Sequence, residues 1–140
     1  MPEAPAHRFR TRVYWEDTDG AGIVYYANYL KFAERGRTEM LRSIGIEQRS
    51  MLAETGIAFA VRRCACEYIR PARLDDELDV ATRVTGARAA SIEMRQLIQR
   101  GAETLAELDV MVVCMTRDGR PARLPPAIRH ALAPFVANTD

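Results

Sequence analysis

From Asn28 to about Ile44 the chain holds its single long stretch of helical periodicity, and nearly everything after it, as far as Thr116, has the period of strands. Tyr29, Phe32, Ala33, Met40, Leu41 and Ile44 fall near one face of that helix. Asn28 is its expected N-cap and Gly45 suits its end. Gly36, in its interior, costs about 1 kcal/mol relative to alanine, so close packing against another backbone is expected there. A lone helix of about 17 residues covers only one face of a sheet. A second copy of the chain is the natural cover for the rest, which predicts a homo-oligomer.

The strands are read from alternation. His7 to Trp15 sets Arg8, Arg10 and Arg12 on a wet face against Phe9 and Val13. A short helical piece, Glu47 to Glu54, stops at Gly56. Ile57, Phe59 and Val61 are then in phase, followed by a strand through Cys64, Cys66 and Tyr68 to Arg70, which Pro71 ends. Leu78, Val80, Thr82 and Val84 mark the next, and the turn from Gly86 to Ala90 leads into Ile92, Met94 and Ile98. After a turn at Gly101, Leu105 to Thr116 is apolar on both faces, as in the middle of a sheet. Asp118 and Gly119 form a turn, and Pro125 to Val136 a short terminal helix. Strand, long helix, then about four strands joined by turns predicts an α+β fold with an antiparallel sheet.

With 140 residues, one domain spanning 1–140 is expected. A net charge of +1 offers no general attraction to nucleic acid or anionic membrane. The longest apolar run, Val110 to Met115, is far short of the ~18 residues of a membrane span. The opening MPEAPAHRFR lacks the apolar core of a signal peptide, so a cytoplasmic location is expected. Three cysteines without CxxC spacing read as reduced core thiols.

The stretch that carries chemistry is Glu16 to Tyr29, EDTDGAGIVYYANY, in which acidic and glycine residues meet an apolar run. Only His7 and His130 supply imidazole, each near a terminus, so a nucleophile-histidine site has no support. HExxH and paired CxxC spacings are absent, which leaves no metal motif. Calcium fits poorly: from Asp17 the fifth position is Ala21, and Asn28 stands where a bidentate glutamate belongs. The DxDG start of a haloacid-dehalogenase-like phosphatase fits locally, but the strand-rich remainder does not alternate with helices. Solvated turn residues are the plain alternative. Against it, a carboxylate between the Gly-Ala-Gly turn and the Ile23, Val24, Tyr25, Tyr26 wall is expected to be partly desolvated and more basic. Free N–H groups at the start of the helix could polarise a carbonyl beside it. A carboxylate and such N–H groups suffice for a thioester, because a thiolate, with a conjugate acid near ~8.5, leaves without a proton donor.

The residues VYWEDTDGAGIVYYANYLKFAERGRTEMLRSIG, with FAVRRCACEYIRPARLDDELDV, LAELDVMVVCM and RPARLP downstream, resemble the hotdog-fold thioesterases of the 4-hydroxybenzoyl-CoA thioesterase family. Within it the likeness is to the Tol-Pal-associated acyl-CoA thioesterases of the YbgC type. The resemblance implies a hotdog fold, a long central helix wrapped by a curved antiparallel sheet of about five strands. It implies dimers whose sheets join, commonly paired into tetramers, with active sites at the subunit interface. It also implies hydrolysis of short-chain or aryl acyl-CoA thioesters without a cofactor, CoA being part of the substrate. By match to the motif, Asp19 is the catalytic nucleophile or general base and the Tyr26 backbone N–H holds the thioester oxygen. Gly22 and Asn28 shape the loop and helix entry, and Ile23, Val24, Tyr25 and Phe59 are candidate pocket walls. Glu34 is a candidate second acid, with a surface salt bridge as the alternative. Arg88, Arg120 and Arg123 stand where the family handles the nucleotide end, with solvated arginine as the alternative. Relatives usually carry histidine where this chain has Tyr26, and tyrosine where it has Trp15. The other class of function is a weakly catalytic or non-catalytic partner of acyl-carrier protein or envelope machinery.

Overall fold

A computed structural model describes residues 6–136; positions 1–5, part of the opening read for a signal peptide, lie outside the described residues. The strands are β1 (His7–Arg12), β2 (Ile57–Tyr68), β3 (Glu77–Ala87), β4 (Ser91–Arg100), β5 (Glu103–Thr116) and β6 (Pro121–Ala122). They form one antiparallel sheet in the order β1-β3-β4-β5-β2, with β6 paired to the end of β5. The helices are α1 (Asn28–Ser43), α2 (Gln48–Thr55) and α3 (Pro126–Leu132). The α+β reading holds. Sequence alternation finds the five longer strands and misses β6, which is two residues long and has no period to show.

The apolar stripe of α1 lies on the sheet: Tyr29, Phe32, Ala33, Met40 and Leu41 are all buried, against β1, β3 and β4. Leu78, Val80 and Val84 of β3, Ile92, Met94 and Ile98 of β4, and Leu108, Val110 and Val112 of β5 complete the core. The close approach expected at Gly36 is real, but a side chain makes it. A Cβ there would sit 2.6 Å from Val80 Cγ1. β5, apolar on both faces, lies between β4 and β2 as expected.

β2 has a partner on one side only, and its register slips between Val61 and Arg63. That edge position corrects the reading of the cysteines as core thiols. Cys114 on β5 is buried, but Cys64 on β2 is exposed and Cys66 half-buried, because among the described residues β2 is an edge strand and α1 packs on β1, β3 and β4 instead. Among the described residues no helix is long and apolar enough to cross a membrane.

Candidate active site

The chain from Val13 to Asn28 is a hydrogen-bonded scaffold. Val13 N–H donates to the Asp76 carbonyl at 2.9 Å, and a 3-10 turn follows at Trp15–Asp17. Thr18 then pairs with Val24, and Asp19 N–H donates to the Ile23 carbonyl at 3.0 Å, so residues 20–22 form the tip of a small hairpin. Gly20 and Gly22 turn that tip with φ of 89° and 90°, the left-handed region open to glycine. The tip is fastened to the segment after β2, since Val24 N–H donates to Ala72 O at 2.9 Å and Leu74 N–H to Gly22 O at 3.0 Å.

The two aspartates differ in what they bind. The Asp17 carboxylate accepts Tyr14 N–H at 2.8 Å. Its carbonyl accepts Tyr25 N–H at 3.0 Å and Asn28 Nδ2 at 2.8 Å. Asp17 is therefore structural. Asp19 Oδ1 accepts Ala21 N–H at 2.7 Å, which fixes the carboxylate's direction, and Oδ2 has no partner among the described residues. Within the single chain Asp19 is exposed, in contrast to the partial desolvation expected of it. The apolar run does not wall it in: Val24 is buried in the core, Ile23 is half-buried, and Tyr25 and Tyr26 lie at the surface.

Asn28 is not the N-cap. Ala27 holds that place, and Asn28 begins α1 with its amide donating backwards to Asp17 O. The amides of Asn28, Tyr29 and Leu30 donate to the carbonyls of Tyr25, Tyr26 and Ala27, at 2.9, 3.4 and 3.2 Å. Free donors consequently lie one step upstream of the helix. The Tyr26 and Ala27 amides have no acceptor among the described residues.

Tyr68, at the end of β2, is not among the expected site residues yet reaches this turn. Its hydroxyl donates to the Tyr26 carbonyl at 3.0 Å. Its ring stands edge-on to Tyr26 and Tyr29, with centroids 6.1 and 5.2 Å away. Burial pushes the hydroxyl up to about 12, so it stays a donor at neutral pH. Strand phase alone does not find it, since the register shift between Val61 and Arg63 is what brings Tyr68 to the helix side of β2.

The remaining candidates are dispersed. Glu34 and Phe59 share a cavity of about 380 Å³ between α1 and the β2, β4 and β5 strands, which Arg37 and Met94 also line. Arg88 borders a separate concavity of about 770 Å³ on the other face of the sheet, with Arg62 and Arg63. Arg120 and Arg123 are exposed beside β6, and Arg120 pairs with Asp118 at 3.3 Å. Within one chain Asp19 borders neither cavity. Arg37 is the second residue that sequence reasoning passed over. Its signal was a charge at a position of the buried α1 stripe, four residues from both Ala33 and Leu41.

An antiparallel sheet with one helix laid on it, and a glycine-turned acidic loop leading into that helix, defines a hotdog-type protein of the thioesterase class. The chain belongs to the thioesterase-like superfamily, whose sequence profile matches residues 13–132. It is 45% identical over 123 residues to the acyl-CoA thioester hydrolase YbgC of Shigella flexneri, covering 86% of this chain and 91% of that protein. To the acyl-CoA thioesterase YbgC of Haemophilus influenzae it is 40% identical over 124 residues, covering 88% and 91%. A crystal structure of a probable thioesterase from Bartonella henselae superposes with a TM-score of 0.83 at 36% identity, covering 86% of this chain and 99% of that one.

Proposed function

We propose that the protein is an acyl-CoA thioesterase that hydrolyses short-chain or aryl acyl-CoA thioesters to the free acid and CoA. The observation that carries this is the pairing of one loop's two ends: a fixed carboxylate with an open oxygen at Asp19, and unbonded amides at Tyr26 and Ala27. The similarity to the two YbgC enzymes supports the same substrate class. Oδ2 of Asp19 attacks the acyl carbon or takes a proton from the attacking water. The Tyr26 N–H stabilises the charge that develops on the thioester oxygen. The carbon-sulfur bond then breaks, and sulfur departs as a thiolate that needs no acid at neutral pH; where Asp19 itself has attacked, water then cleaves the acyl-aspartyl anhydride to free the acid and restore the carboxylate.

Since a backbone N–H is the donor, tyrosine at position 26 does the work assigned to histidine in relatives. α1 is the central helix of the hotdog in this reading, and the described sheet is half of a larger one. β2's open edge, with Val61, Tyr68 and Ile69 exposed, is where a second copy pairs and where the Asp19 loop becomes enclosed. Arg88, Arg120 and Arg123 serve the phosphates of CoA from outside the sheet. The expected setting is the cytoplasm, with no cofactor. The test is turnover of an acyl-CoA panel of graded chain length by the purified protein and by Asp19→Asn. Loss of turnover in a folded variant supports the reading, whereas no turnover by either form points to the acyl-carrier or envelope partner instead.

A further inference from the structure

The stripe that α1 turns to the sheet contains one charged side chain. Arg37 is only 9% exposed, and its Nη1 donates to Gln96 Oε1 at 3.0 Å. Gln96 is fully engaged in turn, its Nε2 donating to Ala33 O at 2.8 Å and Thr82 Oγ1 at 2.9 Å. Arg37 has no other hydrogen bond and no ion pair among the described residues. A guanidinium carries five N–H donors, so most of them are unanswered. The nitrogens that lack partners are not sealed in protein, and the open space Arg37 borders is the 380 Å³ cavity. Phe59, Ile92, Met94 and Val112 make its walls apolar, and Glu34, exposed, is the other charge on its lining.

A buried charge with one neutral partner is costly, and an apolar residue would pack the stripe better. Burial draws the guanidinium's proton affinity down and Glu34 partly restores it, yet arginine remains charged at any ordinary pH. The cost is offset when an anion sits against the open donors. Two parallel N–H groups of a planar fork match the two oxygens of a carboxylate, while a hydroxyl answers only one. A cavity of this size lies within the range of about 300–1,000 Å³ of small-molecule sites.

We propose that this cavity, lined by Phe59, Ala60 and Val61 of β2 where the proposed second copy would pair and bring its own Asp19 loop, receives the acyl group and that Arg37 selects acyl groups bearing a carboxylate at the end remote from the thioester. This deepens the thioesterase reading and rests on it. The probes are monomethyl adipate and methyl hexanoate, in which the ester stands for the thioester end and only the first has a distal carboxylate. Each is titrated calorimetrically into the full chain, with no turnover needed. Monomethyl adipate is expected to bind about tenfold more tightly, the effect of a charge-assisted hydrogen-bond pair. Arg37→Met is expected to abolish that preference while leaving methyl hexanoate unchanged. Glu34→Gln, which removes a like charge beside the site, is expected to strengthen monomethyl adipate binding severalfold. Equal binding of the two esters, or a preference that survives Arg37→Met, overturns the proposal. Should Arg37→Met not fold, Glu34→Gln decides, and unchanged or weaker binding of monomethyl adipate overturns it. Because binding is read without catalysis, a failure here leaves the role of Asp19 standing, and a failure of Asp19-dependent turnover is seen separately.

Discussion

Asp17 and Asp19 carry the same side chain two positions apart, and the fold gives them opposite duties. Asp17 ties Tyr14, Tyr25 and Asn28 together, whereas Asp19 holds one oxygen open. Asp19→Asn should therefore lower kcat by at least about a hundredfold, the scale of lost acid-base or nucleophilic catalysis, with its melting temperature unchanged. Asp17→Ala should instead cost about 0.5–1.5 kcal/mol of stability by removing the exposed hydrogen bond to Tyr14 N–H, visible in urea unfolding. The DxD spacing alone did not separate these roles. They depend on the loop's pairing with residues 72–74, fifty positions away. In the proposed mechanism Tyr68 would be a positioning residue: by donating to the Tyr26 carbonyl it fixes the peptide of the Ala27 N–H, the open donor next to that of Tyr26. Tyr68→Phe keeps the ring contacts and removes only the hydroxyl. A fall in kcat of about five- to tenfold at constant KM is expected, from the loss of about 1 kcal/mol of hydrogen bonding in the transition state. A change in KM alone would remove Tyr68 from that role.

Among elements, α1 and β2 show how far periodicity reaches. The sequence places Ile57, Phe59 and Val61 in one phase and Cys64, Cys66 and Tyr68 in the other. The structure shows that both sets face α1, because the bulge at Arg62 shifts the strand by one residue. The slip was visible in the residues; its consequence, Tyr68 beside the Tyr26 turn, needed the register with β5. For α1 the stripe was legible, but not the turn before it, where backbone carbonyls rather than a capping side chain bind the first amides. Gly36→Ala tests the packing of α1 on β3. Helix propensity favours alanine by about 1 kcal/mol, yet the new methyl meets Val80 Cγ1 at 2.6 Å. A net destabilisation of about 1–3 kcal/mol is expected in denaturant unfolding, and a gain would show that the contact yields freely. On β5, burial pushes the Cys114 thiol up to about 11 from an ordinary 9.0. The proton is held more tightly in the folded state, so this group's stabilising effect is whole below pH 9 and is lost as pH rises toward 11. Melting temperature should decline across that window, and Cys114→Ala should flatten the decline.

For the whole molecule, the sheet is unfinished at β2. Val61, Tyr68 and Ile69 are exposed there, and the strand's outer backbone groups face no protein partner among the described residues. Such an edge invites another strand, and the same strand carries Tyr68 to the turn that follows the Asp19 loop. Sequence reading expected a second copy by counting one helix against two sheet faces. It did not reach the open edge at β2, which depends on strand order rather than on any local pattern. The proposed pairing of two β2 strands would join two 15.8 kDa chains and enclose the exposed Asp19. Activity and assembly must then be linked by mass action. On dilution, the fraction of protein at twice the chain mass in light scattering and the specific activity toward an acyl-CoA should fall together along one curve. Ile69→Asp, which sets a charge at the end of the pairing edge without touching Asp19, should shift both curves to higher protein concentration by about tenfold or more. A monomer that retains full specific activity would show that each chain's loop works alone, and would remove the interface from the mechanism.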